Sequence, residues 1–281
     1  MALTDAQWAR IEPLLPDRTP RRGGRWRDHR QMIDAIAFKY RTGIPWPDLP
    51  PESGSWKGAY NRLRSWAIDG TWGRVFAALL AQADAEEDVS WVVSVDSTVV
   101  RAHQHAAGAR QKGPRQASPP DHALGRSRGG LTTKIHLATD GNCRPLAFVL
   151  TPGQAGDAPA FTQVMKGIRV ARQCGRPRTR PTMVLADKAY SSRAIREHLR
   201  KRGIRAVIPQ PADQVANRKR LGCRGGRPPA FDKAAYKQRN TVERCINKLK
   251  QWRGLATRYD KTATVYQAAL HLAAIHIWTA R

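Results

Sequence analysis

The sequence predicts an α/β fold preceded by a small all-helical N-terminal domain. After residue 88, apolar β-branched runs alternate with amphipathic stretches in the order β-β-β-α-β-α-β. This alternation is typical of a sheet covered by helices. Residues 1–88 instead carry apolar side chains at helical spacing and six of the nine tryptophans. An acidic tract at 84–88 lies between the two patterns, so we expect two units, residues 1–88 and 89–281.

Four helices are predicted in the first unit. Thr4 and Gln7 have the spacing of a capping box at the start of the first helix. The second helix covers about residues 28–41, and Gly43 is expected to end it. A proline-rich connection then leads to the third helix, and Thr71 is expected to cap the fourth. The connection is too long for the three- or four-residue turn of a helix-turn-helix motif, which disfavours that motif.

Five strands are predicted in the second unit. The first three, at 91–100, 131–140 and 144–152, follow one another closely, as in an antiparallel meander. Two short apolar strands, at 182–187 and 205–209, alternate with helices. We therefore expect a mixed five-stranded sheet flanked by helices.

The chain is expected to end with two helices. The first runs from about residue 231 to 253 and is closed by Gly254. Residues at offsets of 3, 4 and 7 cluster on one side of it: Tyr236, Arg239, Glu243 and Lys250. The last helix is apolar enough to pack on the core.

Positive charge is concentrated in the second unit. Residues 1–90 hold 13 Lys and Arg against 12 Asp and Glu, whereas residues 91–281 hold 36 against 10, a net charge of +26. So basic a surface repels itself unless it meets a polyanion, and nucleic acid is therefore the expected partner. An acidic membrane surface is the weaker alternative, because no basic amphipathic helix stands out.

Neither membrane insertion nor secretion is expected. No apolar run reaches the ~18 residues of a membrane span, and the N-terminus lacks the pattern of a signal peptide. The four cysteines form no CxxC pair, which disfavours a structural zinc site and fits reduced thiols. A cytoplasmic location is expected.

Loose basic segments interrupt the second unit at 104–130 and 210–231. Long segments of this kind are uncommon in compact domains unless they are functional. His103 and His105, two residues apart, are compatible with a metal site. Because no cysteine lies nearby, a role facing the backbone or a phosphate is favoured.

Three acids of the basic unit are candidate metal ligands. Asp96 lies inside an apolar strand, where a carboxylate is costly to bury without a positive partner. Asp187 ends a neighbouring strand, and Glu243 lies on a helix. Carboxylates are the ligands that magnesium prefers, and two such ions can activate a nucleophile and stabilise a leaving oxygen at one phosphorus. The alternatives are a solvated edge residue for Asp96 and an i,i+4 ion pair with Arg239 for Glu243.

Four segments resemble insertion-sequence transposases of the DDE class, above all the insertion-sequence-five group: VDSTVVRAH, GGLTTKIHLATD, VLADKAYSS and YKQRNTVERCINKLK. The resemblance covers nearly the whole chain. Every position of the family signature Tyr-x2-Arg-x3-Glu-x6-Lys is matched, by Tyr236, Arg239, Glu243 and Lys250. One departure is Ala189, where glycine is frequent. An alanine is tolerable there if the backbone φ is not positive.

The resemblance implies a ribonuclease H-like catalytic domain at 89–281. It implies two Mg²⁺ ions, replaceable by Mn²⁺, on Asp96, Asp187 and Glu243. The expected partner is double-stranded DNA: the terminal inverted repeats of an insertion sequence, and a target. The implied reaction is hydrolysis at the ends, followed by attack of the freed 3′-hydroxyl on target DNA.

The resemblance also bears on the remaining parts of the chain. DNA contacts are expected for Tyr236, Arg239 and Lys250. Residues 1–88 are expected to bind DNA ends, to dimerise, or both, and a homodimer is expected when two ends are paired. DNA binding would associate the protein with the bacterial nucleoid.

Two other functions fit the same residues. A metal-dependent nuclease would cut DNA without joining it, and its active site would look the same. A non-catalytic DNA-binding relative is the second alternative, which the three acids disfavour. Their separation in space distinguishes a shared metal site from isolated acids.

Overall fold

The computed structural model describes residues 2–19, 26–107 and 122–280. Twelve α-helices lie in this part of the chain: α1 Asp5–Ile11, α2 His29–Thr42, α3 Trp56–Ile68, α4 Thr71–Ala85, α5 Gln104–Ala107, α6 Asp157–Gly167, α7 Arg193–Lys201, α8 Ala212–Arg220, α9 Lys233–Tyr236, α10 Asn240–Lys250, α11 Arg253–Ala256 and α12 Ala263–Thr279. Much of the predicted basic loop at 104–130 lies outside the described residues.

The helix ends of the first unit follow local capping chemistry. Thr4 and Gln7 form both hydrogen bonds of the capping box, as predicted. Gly43 ends α2 in the left-handed conformation, also as predicted. The predicted cap of α4 by Thr71 is wrong by a residue or two. Thr71 is already helical, and its amide donates to Asp69 Oδ1 at 2.8 Å.

Seven strands form one mixed sheet in the described residues: β1 Val92–Ala102, β2 Gly125–Ser127, β3 Gly130–Thr139, β4 Pro145–Pro152, β5 Met183–Ala186, β6 Arg205–Val207 and β7 Thr257–Arg258. Five of them are neighbours in the order β4-β3-β1-β5-β6, with β3 antiparallel to β1 and β4. Strands β5 and β6 run parallel to β1. This mixed sheet has the ribonuclease H-like arrangement that the resemblance implied.

The predicted count of five strands is too low, because β2 and β7 were missed. Each is two or three residues long and pairs only with the end of a longer strand. Strands this short carry no alternating pattern in the sequence, so only pairing defines them.

The predicted single helix at 231–253 is divided in the structure. Helix α9 ends at Tyr236, a 3₁₀ turn covers Lys237–Arg239, and α10 ends at Lys250. Gly254 does not close it but lies within α11. A Cβ at Gly254 would lie 2.9 Å from Tyr40 Cδ1 and 3.1 Å from Tyr40 Cα. The glycine is therefore required by the close approach of α11 to α2.

The N-terminal helices share one hydrophobic core with the sheet and with α12. Trp66 and Trp72 are fully or almost fully buried and stack edge to face, with ring centroids 5.1 Å apart. Trp278 of α12 is also buried in that core. In the described part of the chain, no helix is long and apolar enough to cross a membrane.

Candidate active site

Strand register brings Asp96 and Asp187 to the same place. Val95 of β1 pairs with Ala186 of β5 in parallel register, and each of these residues directly precedes one of the acids. Adjacent strands lie about 4.8 Å apart and alternate their side chains between faces. The two carboxylates therefore lie side by side, at the point where β5 ends.

Helix α10 covers the face of β1 that carries Asp96. The hydroxyl of Thr241 donates to Ser94 Oγ at 2.9 Å, and both residues are buried. Ser94 lies two residues before Asp96, on the same face of the strand. This contact holds α10 against β1. Glu243, two residues after Thr241, lies on another side of the helix, with about half of its side chain exposed.

Arg239 connects two of the three acids. One guanidinium nitrogen donates to Asp96 Oδ2 at 2.7 Å, and the other donates to Glu243 Oε1 at 2.8 Å. Only 18% of the Asp96 side chain and 18% of the Arg239 side chain are exposed, compared with 53% for Glu243. The i,i+4 ion pair considered as an alternative for Glu243 is thus present, and it extends to Asp96.

The pKa of Asp96 is raised above its ordinary value. Burial is the main cause, because it disfavours the charged form. The amide of Ser97, which donates to Asp96 Oδ1 at 2.8 Å, and the charge of Arg239 act in the opposite direction. The negative charges of Asp187 and Glu243 raise the pKa further. Negative charge is therefore concentrated around Asp96, and the positive charge of Arg239 partly balances it.

Asp187 begins a tight 3₁₀ turn at Lys188–Tyr190. Its Oδ1 accepts a hydrogen bond from the Ala189 amide at 2.8 Å. Ala189 is not among the residues with positive φ in the described chain. The alanine that departs from the family pattern is therefore tolerated by the backbone, as predicted.

The remaining signature residues flank these acids. Tyr236 lies where α9 ends, and its pKa is raised, chiefly by burial. Lys250, at the end of α10, places Nζ 3.5 Å from the carbonyl oxygen of Val99 on β1. Lys250 thus lies farther along β1 than Asp96. The predicted DNA contacts of Tyr236, Arg239 and Lys250 stay predictions.

The donor chemistry fits divalent cations, because carboxylates are the ligands that such cations prefer: Asp187 lies beside Asp96, and Arg239 links Asp96 to Glu243. In the conformation described, the Arg239 guanidinium takes the place of such a cation between Asp96 and Glu243. Across residues 2–19, 26–107 and 122–280, no three His, Cys, Asp or Glu side chains are close enough to hold a metal ion.

A polar cluster on the opposite face of β1 was missed by sequence analysis. Ser97 donates to Asp157 Oδ1 at 2.6 Å, and Lys134 Nζ lies 3.0 Å from the same oxygen. Burial lowers the pKa of the neighbouring His136 to about 4. Asp157 begins α6, and its position at a helix start was the only signal in the sequence. The cluster supports the strand that carries Asp96.

Comparison with known proteins identifies the family. Residues 87–278 match the family model described as a transposase DDE domain. Residues 3–76 match a second model, described as a putative transposase of the IS4/5 family. Together the two models cover the helical first unit and the sheet.

Two similar proteins are putative transposases of insertion sequences. The one from element IS6501 of Brucella ovis is 32% identical over 148 residues, which are 53% of this chain and 98% of that protein. The one from element IS402 of Burkholderia cepacia is 33% identical over 148 residues, 52% of this chain and 62% of that protein.

An uncharacterised Sinorhizobium fredii protein, y4sN, is 40% identical over 109 residues, 39% of this chain and 83% of its own. Among solved structures, the Mos1 transposase paired-end complex with the left transposon end is 13% identical, with a TM-score of 0.26 over 84% of this chain and 82% of that one. The family models and the insertion-sequence relatives show that this chain belongs to the DDE transposases of insertion sequences.

Proposed function

We propose that this protein cleaves the ends of an insertion sequence and joins them to target DNA. The observation that carries the proposal is the placement of Asp96 beside Asp187, with Arg239 linking Asp96 to Glu243, within a DDE domain of strongly positive net charge. Phosphodiester chemistry needs concentrated carboxylates for cations and surrounding Lys and Arg for the DNA strand.

Each acid has a distinct role in the proposal. Asp96 is held rigidly, because its strand is paired on both sides and the Ser97 amide fixes one of its oxygens. Asp187 is held by its own turn. Glu243 is the adjustable ligand, since about half of its side chain is exposed and it lies on a helix rather than in the sheet. These residues would hold two Mg²⁺ or Mn²⁺ ions, which supply an activated nucleophile and charge stabilisation at phosphorus.

The basic residues position the DNA in this proposal. Arg239 would have to release Asp96 and Glu243 for cations to bind there, and its charge would then be free for a phosphate. Lys250, about 10 Å along the helix from Glu243 and so too far to contact the same cation, holds a phosphate near the cut. Tyr236 contacts the DNA beside the acids. No covalent protein–DNA intermediate is needed, because the nucleophiles are water and then the 3′-hydroxyl.

The partners follow from the same proposal. Double-stranded DNA, as terminal inverted repeats and as target, binds the basic surface of residues 89–281. Residues 1–88 form the unit that binds DNA ends, dimerises, or does both. Two copies pair two ends, so the active species is a homodimer associated with the nucleoid.

Substitution of each acid tests the catalytic assignment. Asp96→Asn, Asp187→Asn and Glu243→Gln remove a charge but keep size, so each should abolish magnesium-dependent cleavage of labelled element ends and spare DNA binding. Asp213→Asn, an exposed acid on α8, is the matched control and should cleave normally.

The products distinguish transposase from nuclease. Labelled ends incubated with a target plasmid should yield joined molecules as well as cut ones. Cut ends without joined products would instead support the nuclease alternative. Substantial cleavage by any one of the three acid variants would remove that residue from the proposed site.

A further inference from the structure

A pocket of about 780 Å³ lies at the junction of the N-terminal helices with the far end of β1. Four aromatic residues contribute to its lining: Trp46, Trp56, Tyr60 and Tyr259. All four are partly exposed. The volume is in the range of pockets that bind small ligands, and none of the residues proposed for catalysis lines it.

The rings of the pocket support one another and leave surface uncovered. Trp46 and Tyr60 meet edge to face, with centroids 5.6 Å apart. His103 packs on Tyr259 at 4.8 Å. These contacts fix the orientation of the rings and leave each of the four rings partly exposed. Partly exposed aromatic faces in a concave site are suited to stacking on a planar group.

Positive charge accompanies the rings. Arg64 and Lys261 line the pocket and are exposed. Lys39 is buried, and its Nζ lies 5.5 Å from the Tyr259 ring centroid. Aromatic rings and cations together are the combination by which proteins bind bases and their flanking phosphates.

A hydrogen-bond acceptor is also available. Asp260 Oδ1 accepts from the Tyr40 hydroxyl at 2.9 Å. Its second oxygen, Oδ2, is buried and has no hydrogen-bond partner among the described residues. Buried acceptors are normally satisfied, and the edges of adenine, cytosine and guanine carry N–H donors. The pocket therefore offers a base a stacking surface, and Asp260 contributes to its wall with one acceptor oxygen that has no partner among the described residues.

The pocket lies on the strand that carries Asp96. His103 directly follows β1, seven residues beyond Asp96, which corresponds to roughly 20 Å along a strand. Lys250, bonded to the Val99 carbonyl oxygen, lies between the two. That distance spans about six base pairs of a duplex. A DNA strand at the acids can therefore reach the pocket past Lys250.

We propose that this pocket binds one unpaired nucleobase of the DNA substrate, stacked among Trp46, Trp56, Tyr60 and Tyr259, with Arg64 and Lys261 on the flanking phosphates. The inference rests on the proposed function and adds a base-binding site to it. An unpaired base is required because both faces of a base within a duplex are covered by its neighbours.

Fluorescence of 2-aminopurine tests the pocket. The probe is a single-stranded oligothymidylate with one central 2-aminopurine, and its fluorescence should be quenched when the full-length protein binds. The same base in a full duplex should be quenched less. Trp56→Leu and Tyr60→Leu should weaken single-strand affinity about tenfold and remove most of the quenching. Trp8→Leu, a partly buried tryptophan outside the pocket lining, should change neither.

Four further measurements keep the test decisive. Arg64→Gln, at an exposed position that cannot disrupt the core, should weaken the same complex several-fold, and Trp56→Phe should retain quenching. Free deoxynucleoside monophosphate is tested as a competitor. If it displaces the probe as effectively as unlabelled oligonucleotide does, the assignment of the pocket to DNA is overturned. Pocket variants that alter only the oligomeric state would also overturn it, in favour of a second copy of the chain.

Failure of this inference differs from failure of the proposed function. Anisotropy of the same oligonucleotide reports binding whether or not a base is stacked. Normal binding and end cleavage without quenching would eliminate the base pocket and leave the transposase proposal intact. Absence of DNA binding in every assay would contradict the transposase proposal itself.

Discussion

Arg239 determines the electrostatic state of the candidate site at the scale of single residues. Its two hydrogen bonds, at 2.7 and 2.8 Å, join a strand acid to a helix acid. A partly buried carboxylate that loses its charged partner is left with a desolvation cost. The same arginine therefore stabilises both acids and, in the proposed function, would compete with cations for them.

Arg239→Gln should therefore lower the free energy of unfolding by about 1–3 kcal/mol in the absence of divalent ions. Magnesium should restore more stability in this variant than in the original protein. Urea unfolding with and without magnesium chloride measures both effects. Arg205→Gln, which breaks the exposed pair with Asp232, is the control and should cost less than about 1 kcal/mol. Unchanged stability of Arg239→Gln would contradict the stabilising role.

Lys250 carries a separate prediction, because it faces β1 beyond the acids. Lys250→Ala should weaken DNA binding and reduce the slope of log affinity against log salt by about one unit, the contribution of one phosphate contact. Fluorescence anisotropy across a salt series gives the slope. Lys201→Ala, an exposed lysine paired with Glu197 on α7, provides a comparison outside the signature. An unchanged slope in Lys250→Ala would exclude the phosphate contact.

At the scale of elements, the packing of α11 on α2 requires a glycine. The Cβ of an alanine at position 254 would lie 3.1 Å from the Tyr40 carbonyl oxygen, and it would also approach the ring and the backbone of the same tyrosine. Backbone atoms cannot rotate away from such a clash. The chain after α10 is thus anchored on the N-terminal helices by a position with no room for a side chain.

Gly254→Ala should accordingly destabilise the protein by about 1–3 kcal/mol through overpacking. Gly58→Ala on α3 is the matched control. Its Cβ would meet only Met32 Sδ at 4.0 Å, so the change should be neutral or stabilise by up to about 1 kcal/mol. Thermal and urea unfolding compare the two. Equal stabilities would show that α11 can shift away from α2 at little cost.

At the scale of the whole molecule, one core joins the N-terminal helices, the sheet and α12, and neutral histidines are packed within it. His271 of α12 stacks on Phe76 of α4, with centroids 5.4 Å apart, and also contacts Phe148 of β4. Burial lowers the pKa of His271 to about 4. Burial also lowers the pKa of His276 to about 4. Protonation of these side chains thus opposes folding.

Because protonation of these histidines opposes folding, the stability of the protein depends on pH. Between pH 6.5 and 4 the unfolded chain binds protons that the folded chain does not, so stability falls as the pH falls. His271→Leu should reduce the loss between pH 7 and pH 5 by about 1 kcal/mol. Urea unfolding at both pH values measures it. His105→Leu, at an exposed position, should leave this loss of stability unchanged. If His271→Leu loses as much stability as the original protein does, the assignment of the pH dependence to His271 is refuted.

Local sequence patterns were sufficient to predict many of the helices and strands. Capping chemistry marked α1 and the end of α2, and apolar β-branched runs marked five of the strands, because these features depend on residues near in sequence. The family signature identified the acids and basic residues as a set. Local patterns do not predict strands β2 and β7 or the break between α9 and α10, because these features depend on partners distant in sequence.

Sequence alone therefore determined the class of fold, the family and the candidate residues, because periodicity, capping and motif spacing are local properties. Only the tertiary structure decided how those residues meet. Parallel register set Asp96 beside Asp187, and the Ser94–Thr241 contact holds α10 against β1. Packing also placed Arg239 between two acids and gathered the aromatic pocket from separate segments. Such placements depend on which distant surfaces bury one another, and local spacing does not specify that.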